Sequence, residues 1–149
     1  MFFTNSFILS WTIWILLADK SRWREIFPVC FLASYFALIT DILVEFYPLW
    51  GYTGNESPLW IQFSNALGIF IVAIYLLIQW LPRKKTFLKL FTYLFAWTSF
   101  AVLVEQIHLA TGHMYYRQWW SIWYSYLADW LLFWTFYKFH EVFRLERLK

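Results

Sequence analysis

Apolar positions gather into five long runs, approximately 2–18, 26–47, 59–81, 87–110 and 119–137, separated by short polar stretches. A helix needs roughly 20 predominantly apolar residues to cross about 30 Å of hydrocarbon, and each run approaches or exceeds that length. The pattern predicts an all-α fold with one domain, 1–149, built as an integral membrane bundle of five transmembrane helices. The first run lacks a basic lead and a small-residue cleavage site before "DKSRWRE", so it reads as a retained span and not as a signal peptide.

The polar stretches are "DKSRWRE", "GYTGNESP", "PRKK", "TGHMYYRQ" and "KFHEVFRLERLK". If the runs alternate in direction, Lys20, Arg22, Arg24, Arg83, Lys84, Lys85, Lys89, Lys138, Arg144, Arg147 and Lys149 fall on one membrane face, and Arg117 stands alone on the other. The positive-inside rule then predicts an N-terminus outside and a C-terminus in the cytoplasm. The tail "HEVFRLERLK" is able to extend the last helix along the cytoplasmic surface. "GYTGNESP" reads as two turns on Gly51, Gly54, Asn55 and Pro58.

Composition agrees: 62% of residues are hydrophobic, 26% aromatic and only 14% charged, well below the quarter or so usual in soluble domains. A net charge of +3 is accounted for by topology, so no nucleic-acid partner is expected. The single cysteine, Cys30, excludes an internal disulfide and a multi-cysteine metal site, and reads as a small buried hydrophobe.

Depth sorts the remaining polar residues. Counting about 1.5 Å per residue from each helix end, Asp41, Glu45, Gln62, Asn65, Glu105, Gln106, His108 and Asp129 all fall in the outer half of the bilayer. The inner half is nearly all apolar and aromatic apart from hydroxyls such as Ser34 and Tyr75. An ionised side chain facing lipid at depth costs at least about 2.5 to 3.5 kcal/mol on insertion scales. Asp41 and Glu45 share one face of helix 2, and Glu105 and His108 share one face of helix 4. These residues predict an outward-opening polar pocket between helices 2, 3, 4 and 5, lined by Asp41, Glu45, Asn65, Glu105, His108 and Asp129. The same positions have a simpler account near the interface, where Glu45 and Gln62 need only be hydrated.

Glu105 and His108 match half of the Glu-x-x-His ligand set of di-iron bundles, but the motif occurs once, so neither a metal nor another cofactor is expected. No serine or cysteine nucleophile lies near a histidine, and no glycine-rich phosphate loop is present, which removes hydrolase and nucleotide-driven mechanisms. Of twelve tryptophans, those near the outer interface form a belt with the tyrosines. Trp123 and Tyr126 run deeper, and their N–H and O–H groups or ring faces suit either packing or a ligand in the pocket.

The order of an acid in helix 2, "EFYPLWGY", "LPRKK" and then "FAVLVEQIHLATGHMYYRQWWSIWYSYLADW" resembles a family of small integral membrane proteins of spore-forming Gram-positive bacteria. The resemblance is carried by Glu45, Tyr47, Pro48, Glu105, Tyr116, Trp120, Trp123 and Tyr124. It implies a multi-pass protein of the bacterial cytoplasmic membrane and, the family being uncharacterised, no activity. Two classes of function follow from the residues. One is a binding or assembly protein whose pocket accepts a lipid headgroup, a small amphiphile or a partner helix. The other is a membrane enzyme or a proton-coupled carrier using Asp41, Glu105 and Asp129; with no inverted repeat, transport would require a homo-oligomer.

Overall fold

In the computed structural model, which describes residues 1–148, five helices carry most of the chain. They are α1 (Phe2–Leu17), α2 (Trp23–Phe46), α3 (Pro58–Gln79), α4 (Phe87–Ala110) and α5 (Ile122–Val142). Three of them, α2, α3 and α4, are long and apolar enough to cross a membrane. Local signals fix several ends. Ser57 accepts from the Trp60 N–H and Pro58 takes the first helical position, a placement where its missing N–H costs nothing. Before α5 the expected helix start at 119 is replaced by a turn: Gln118 has a positive φ and the Trp120 N–H returns to the Arg117 carbonyl. At its other end α5 runs on to Val142, taking in residues expected to lie beyond the span.

Two strands were not expected. β1 (Trp50–Tyr52) pairs antiparallel with β2 (Met114–Tyr116), with Trp50 opposite Tyr116, Gly51 opposite Tyr115 and Tyr52 opposite Met114. Gly51 and Tyr52, predicted as part of a turn, are therefore ladder residues. Gly51 is needed because the Tyr115 ring lies across it where any Cβ would stand. The Arg117 N–H to Leu49 O and Thr53 N–H to His113 O bonds, of 2.7 and 2.9 Å, extend the pairing on both sides. This ribbon closes one end of the bundle, called here the ribbon end.

The helices are unevenly packed. At the end far from the ribbon, Ile26, Val29, Ile74, Leu77, Ile78, Leu94 and Phe136 belong to one buried core. α4 lies along α5 and meets α3 near this far end, where the Tyr93 hydroxyl donates to Leu77 O at 2.6 Å and Trp97 packs on Trp80. Towards the ribbon, α3 contains a π-helical stretch, Asn65–Phe70. Wider turns of this kind leave carbonyls short of their usual partners. α2 supplies donors there: Ser34 Oγ to Ala66 O at 2.7 Å and Cys30 Sγ to Ile71 O at 3.4 Å. On the other side Gly68 admits α1, since a Cβ at Gly68 would come within 2.8 Å of the Phe7 ring. The result is a solid half and, between α2, α3, α4 and α5 under the ribbon, a hollow one.

Candidate functional site

The hollow is a cavity of about 300 Å³. Each helix reaches it through one face. α5 contributes Ser125, Ala128, Asp129, Leu132, Phe133 and Phe136, the spacing of a single helical stripe. α4 contributes Trp97, Ala101, Val104, Glu105 and His108, again one stripe. The π-helical stretch turns Asn65, Ile69 and Phe70 of α3 towards the space, and Trp50, Tyr52 and Met114 form the ribbon roof. The wall is mostly apolar, and its polar groups stand at the ribbon end.

There the sequence-predicted residues divide. Asn65, Glu105, His108 and Asp129 line this one cavity. Asp41 and Glu45 instead line a separate vestibule of about 510 Å³ with Glu56, Gln62, Tyr115 and Arg117. Trp50 and Tyr52 are common to both linings, so the ribbon is the partition that makes two compartments of the predicted single pocket. Glu45 is exposed and accepts from Gln62 Nε2 at 2.9 Å, in keeping with the hydrated account. Trp123 and Tyr126 fall outside both spaces. Trp123 is 75% exposed on the outer surface of α5, and Tyr126 packs edge-on to Phe95. Their misplacement is rotational, since the stripe through Asp129 selects positions 125, 128 and 132 and turns 123 and 126 away.

Residues that the sequence reading passed over complete the site. Glu105 Oε1 accepts from Ser125 Oγ at 2.7 Å and from the Tyr116 hydroxyl at 2.8 Å. Ser125 Oγ in turn receives Trp120 Nε1 at 2.9 Å. Burial pushes both the Tyr116 and the Tyr52 phenols up, and the Glu105 charge adds to the effect, so both remain hydroxyls. His108 Nδ1 bonds to the Val104 carbonyl at 2.8 Å, which makes Nδ1 a protonated nitrogen and, in the neutral ring, Nε2 an acceptor. The ring is held edge-on to Phe2. Asp129 has no hydrogen-bonding partner among the described residues and lies close enough to Glu105 for the two charges to interact.

A second polar cluster, at the far end, was also missed. Glu25, in the first turn of α2, receives Arg22 Nε on Oε2 at 2.7 Å, and Arg22 Nη2 and His140 Nε2 on Oε1 at 2.8 and 2.9 Å. Arg22 Nη1 continues to the Gln79 carbonyl that ends α3. Glu25 is 1% and His140 3% exposed. No cavity adjoins this cluster among those described above, and it ties α2, α3 and α5 together. No group of three or more His, Cys, Asp or Glu residues placed to hold a metal occurs among the described residues. Protein-family models, curated proteins and solved structures yield no match to this chain.

Proposed function

We propose that this is a five-span protein of the bacterial cytoplasmic membrane, with the ribbon end outside, whose outer half binds one small amphiphile in the cavity beneath the ribbon. The observation that carries the reading is the cavity itself: about 300 Å³ of mostly apolar wall with every carboxylate at one end. That volume is at the lower limit of ligand sites and equals roughly ten water-sized groups, the size of a medium alkyl chain with a compact head. It is far too narrow for a partner helix about 10 Å across. The orientation is supported by the basic residues, of which ten of the eleven among the described residues lie at or beyond the far end.

Binding is tested by native mass spectrometry of the protein released from lipid nanodiscs in the presence of ten-carbon amphiphiles. One molecule per chain is expected at saturation, and Ala101→Phe, which fills the space, is expected to abolish the adduct while keeping the fold. An adduct that survives in the filled variant would place the amphiphile on the lipid-facing surface instead. Orientation is tested by impermeant thiol labelling of cells carrying Asn55→Cys or Lys84→Cys: position 55 should react from outside and 84 should not.

A further inference from the structure

The polar end of the cavity is short of donors. Ser125, Tyr116 and Trp120 spend their hydrogens on one another and on Glu105 Oε1. Thr40 donates back to its own helix at Phe36 O and Ala37 O. The Trp97 indole is spent on Tyr93, and the Asn65 amide on the Tyr52 oxygen. His108 Nδ1–H is used by Val104 O. Against this stand acceptors with nothing to accept. Asp129 has no partner, Glu105 Oε2 has none, and His108, only 8% exposed, leaves Nε2 unpaired with its ring in the cavity wall, all counted among the described residues. The Trp50 indole is turned to Asp41 and the Tyr52 oxygen, which leaves the Tyr52 hydroxyl and the second N–H of Asn65 as the lining donors without a hydrogen-bond acceptor among those residues. No lysine or arginine lines the space.

An acceptor-rich, donor-poor end with two half-buried carboxylates selects its own complement, because acceptors withdrawn from water and left unmet are unfavourable and carboxylates more so. A carboxylate or phosphate head would add a third negative charge and bring no donor. A hydroxyl brings one donor and no charge. An ammonium brings up to three donors and the missing positive charge, and Trp50, Trp97 and Trp120 in the lining are rings of the kind that attract a cation.

We infer that the occupant is a primary or secondary amine with an alkyl chain, its nitrogen on Asp129 and Glu105 Oε2 and its chain running along α5 towards Phe133 and Phe136. This assignment rests on the cavity being an amphiphile site. The direction places the head nearer the ribbon and the chain nearer the middle of the bundle, the natural order for a molecule arriving from the membrane surface. The vestibule on the other side of Trp50 and Tyr52 presents Asp41, Glu45 and Glu56 against Arg117 and the N-terminal amine, which pairs with Glu56 at 3.0 Å, so carboxylates are in slight excess where a cation approaches the ribbon.

The test measures binding of decylamine, decyltrimethylammonium, decanol and decanoate to the wild-type protein in phosphatidylcholine nanodiscs, with the Ala101→Phe protein subtracting partition into the bilayer. Decylamine is expected to bind about tenfold or more tightly than decanol, the worth of one charge-assisted hydrogen bond, and decanoate most weakly. Asp129→Asn should remove the amine's advantage over decanol. Equal affinity for decylamine and decanol, or tightest binding of decanoate, would overturn the amine assignment while leaving the cavity a binding site. Equal affinity for the trimethylated cation would overturn the requirement for N–H donors. Failure of all four to bind would instead overturn the amphiphile reading on which the assignment rests. The wild-type series decides the matter even if a variant fails to fold.

Discussion

The two ends of this bundle handle their carboxylates in opposite ways, Glu25 being buried and Glu105 and Asp129 half-buried. At the far end Glu25 is enclosed by Arg22 and His140 within a solid core, and both its oxygens are occupied. At the ribbon end Asp129 faces a void with neither donor nor cation assigned to it, and Glu105 is satisfied on one oxygen only. Both arrangements place charge in an apolar bundle, which is expensive. What separates a joint from a site is whether the protein itself occupies the carboxylate's oxygens; at the far end it does so for Glu25, although His140 Nδ1 has no partner among the described residues.

That contrast is broken or sharpened by substitution, and the largest effect belongs to the closed cluster. Glu25→Gln removes the buried charge that holds the half-buried Arg22 guanidinium and His140, and should lower the unfolding free energy by about 3 kcal/mol, measured by denaturant unfolding in mixed micelles. Glu105→Gln keeps the shape but weakens two charge-assisted bonds and adds donor hydrogens where donors already converge. It should cost about 1 to 3 kcal/mol in the same assay. Gly51→Ala forces the Tyr115 ring aside and should cost about 1 kcal/mol while loosening the roof, seen as faster hydrogen exchange at the β1 and β2 amides. Asp129→Asn should change stability least, within about 0.5 kcal/mol of wild type or slightly upward, because no bond made by the protein is lost. If Asp129→Asn proves as damaging as Glu25→Gln, Asp129 is a structural residue and the contrast fails.

Much of the ribbon-end site was legible in the sequence. An acid or a histidine in a run of apolar residues is visible by its cost, and helical spacing correctly put Glu105 with His108 on one face. Depth counting then brought Asn65 and Asp129 to the same level. The partition between Asp41 and the cavity was not legible, because β1 and β2 are three residues each and pair across about sixty positions, with no local alternation long enough to announce a strand. Trp123 and Tyr126 were chosen for their rings, whereas the phase of α5 is set by Asp129 and Ser125. Glu25 and His140 were assigned to polar flanks. They are 115 positions apart, and only the extension of α2 back to Trp23 and of α5 on to Val142 carries them into the core. A charge at a helix end looks solvated in sequence until a partner from another helix is known.

The most direct test of the contrast uses six melting curves: wild type, Asp129→Asn and Glu25→Gln, each with and without decylamine, in the same nanodiscs. A ligand that binds only the folded state at a hundredfold excess over its Kd stabilises by about 2.7 kcal/mol. Asp129→Asn should melt with the unliganded wild type and gain little from the amine. Glu25→Gln should melt well below wild type and still gain the full wild-type increment. An amine increment lost in Glu25→Gln and retained in Asp129→Asn would contradict the account, placing the binding function at the cluster described here as a joint.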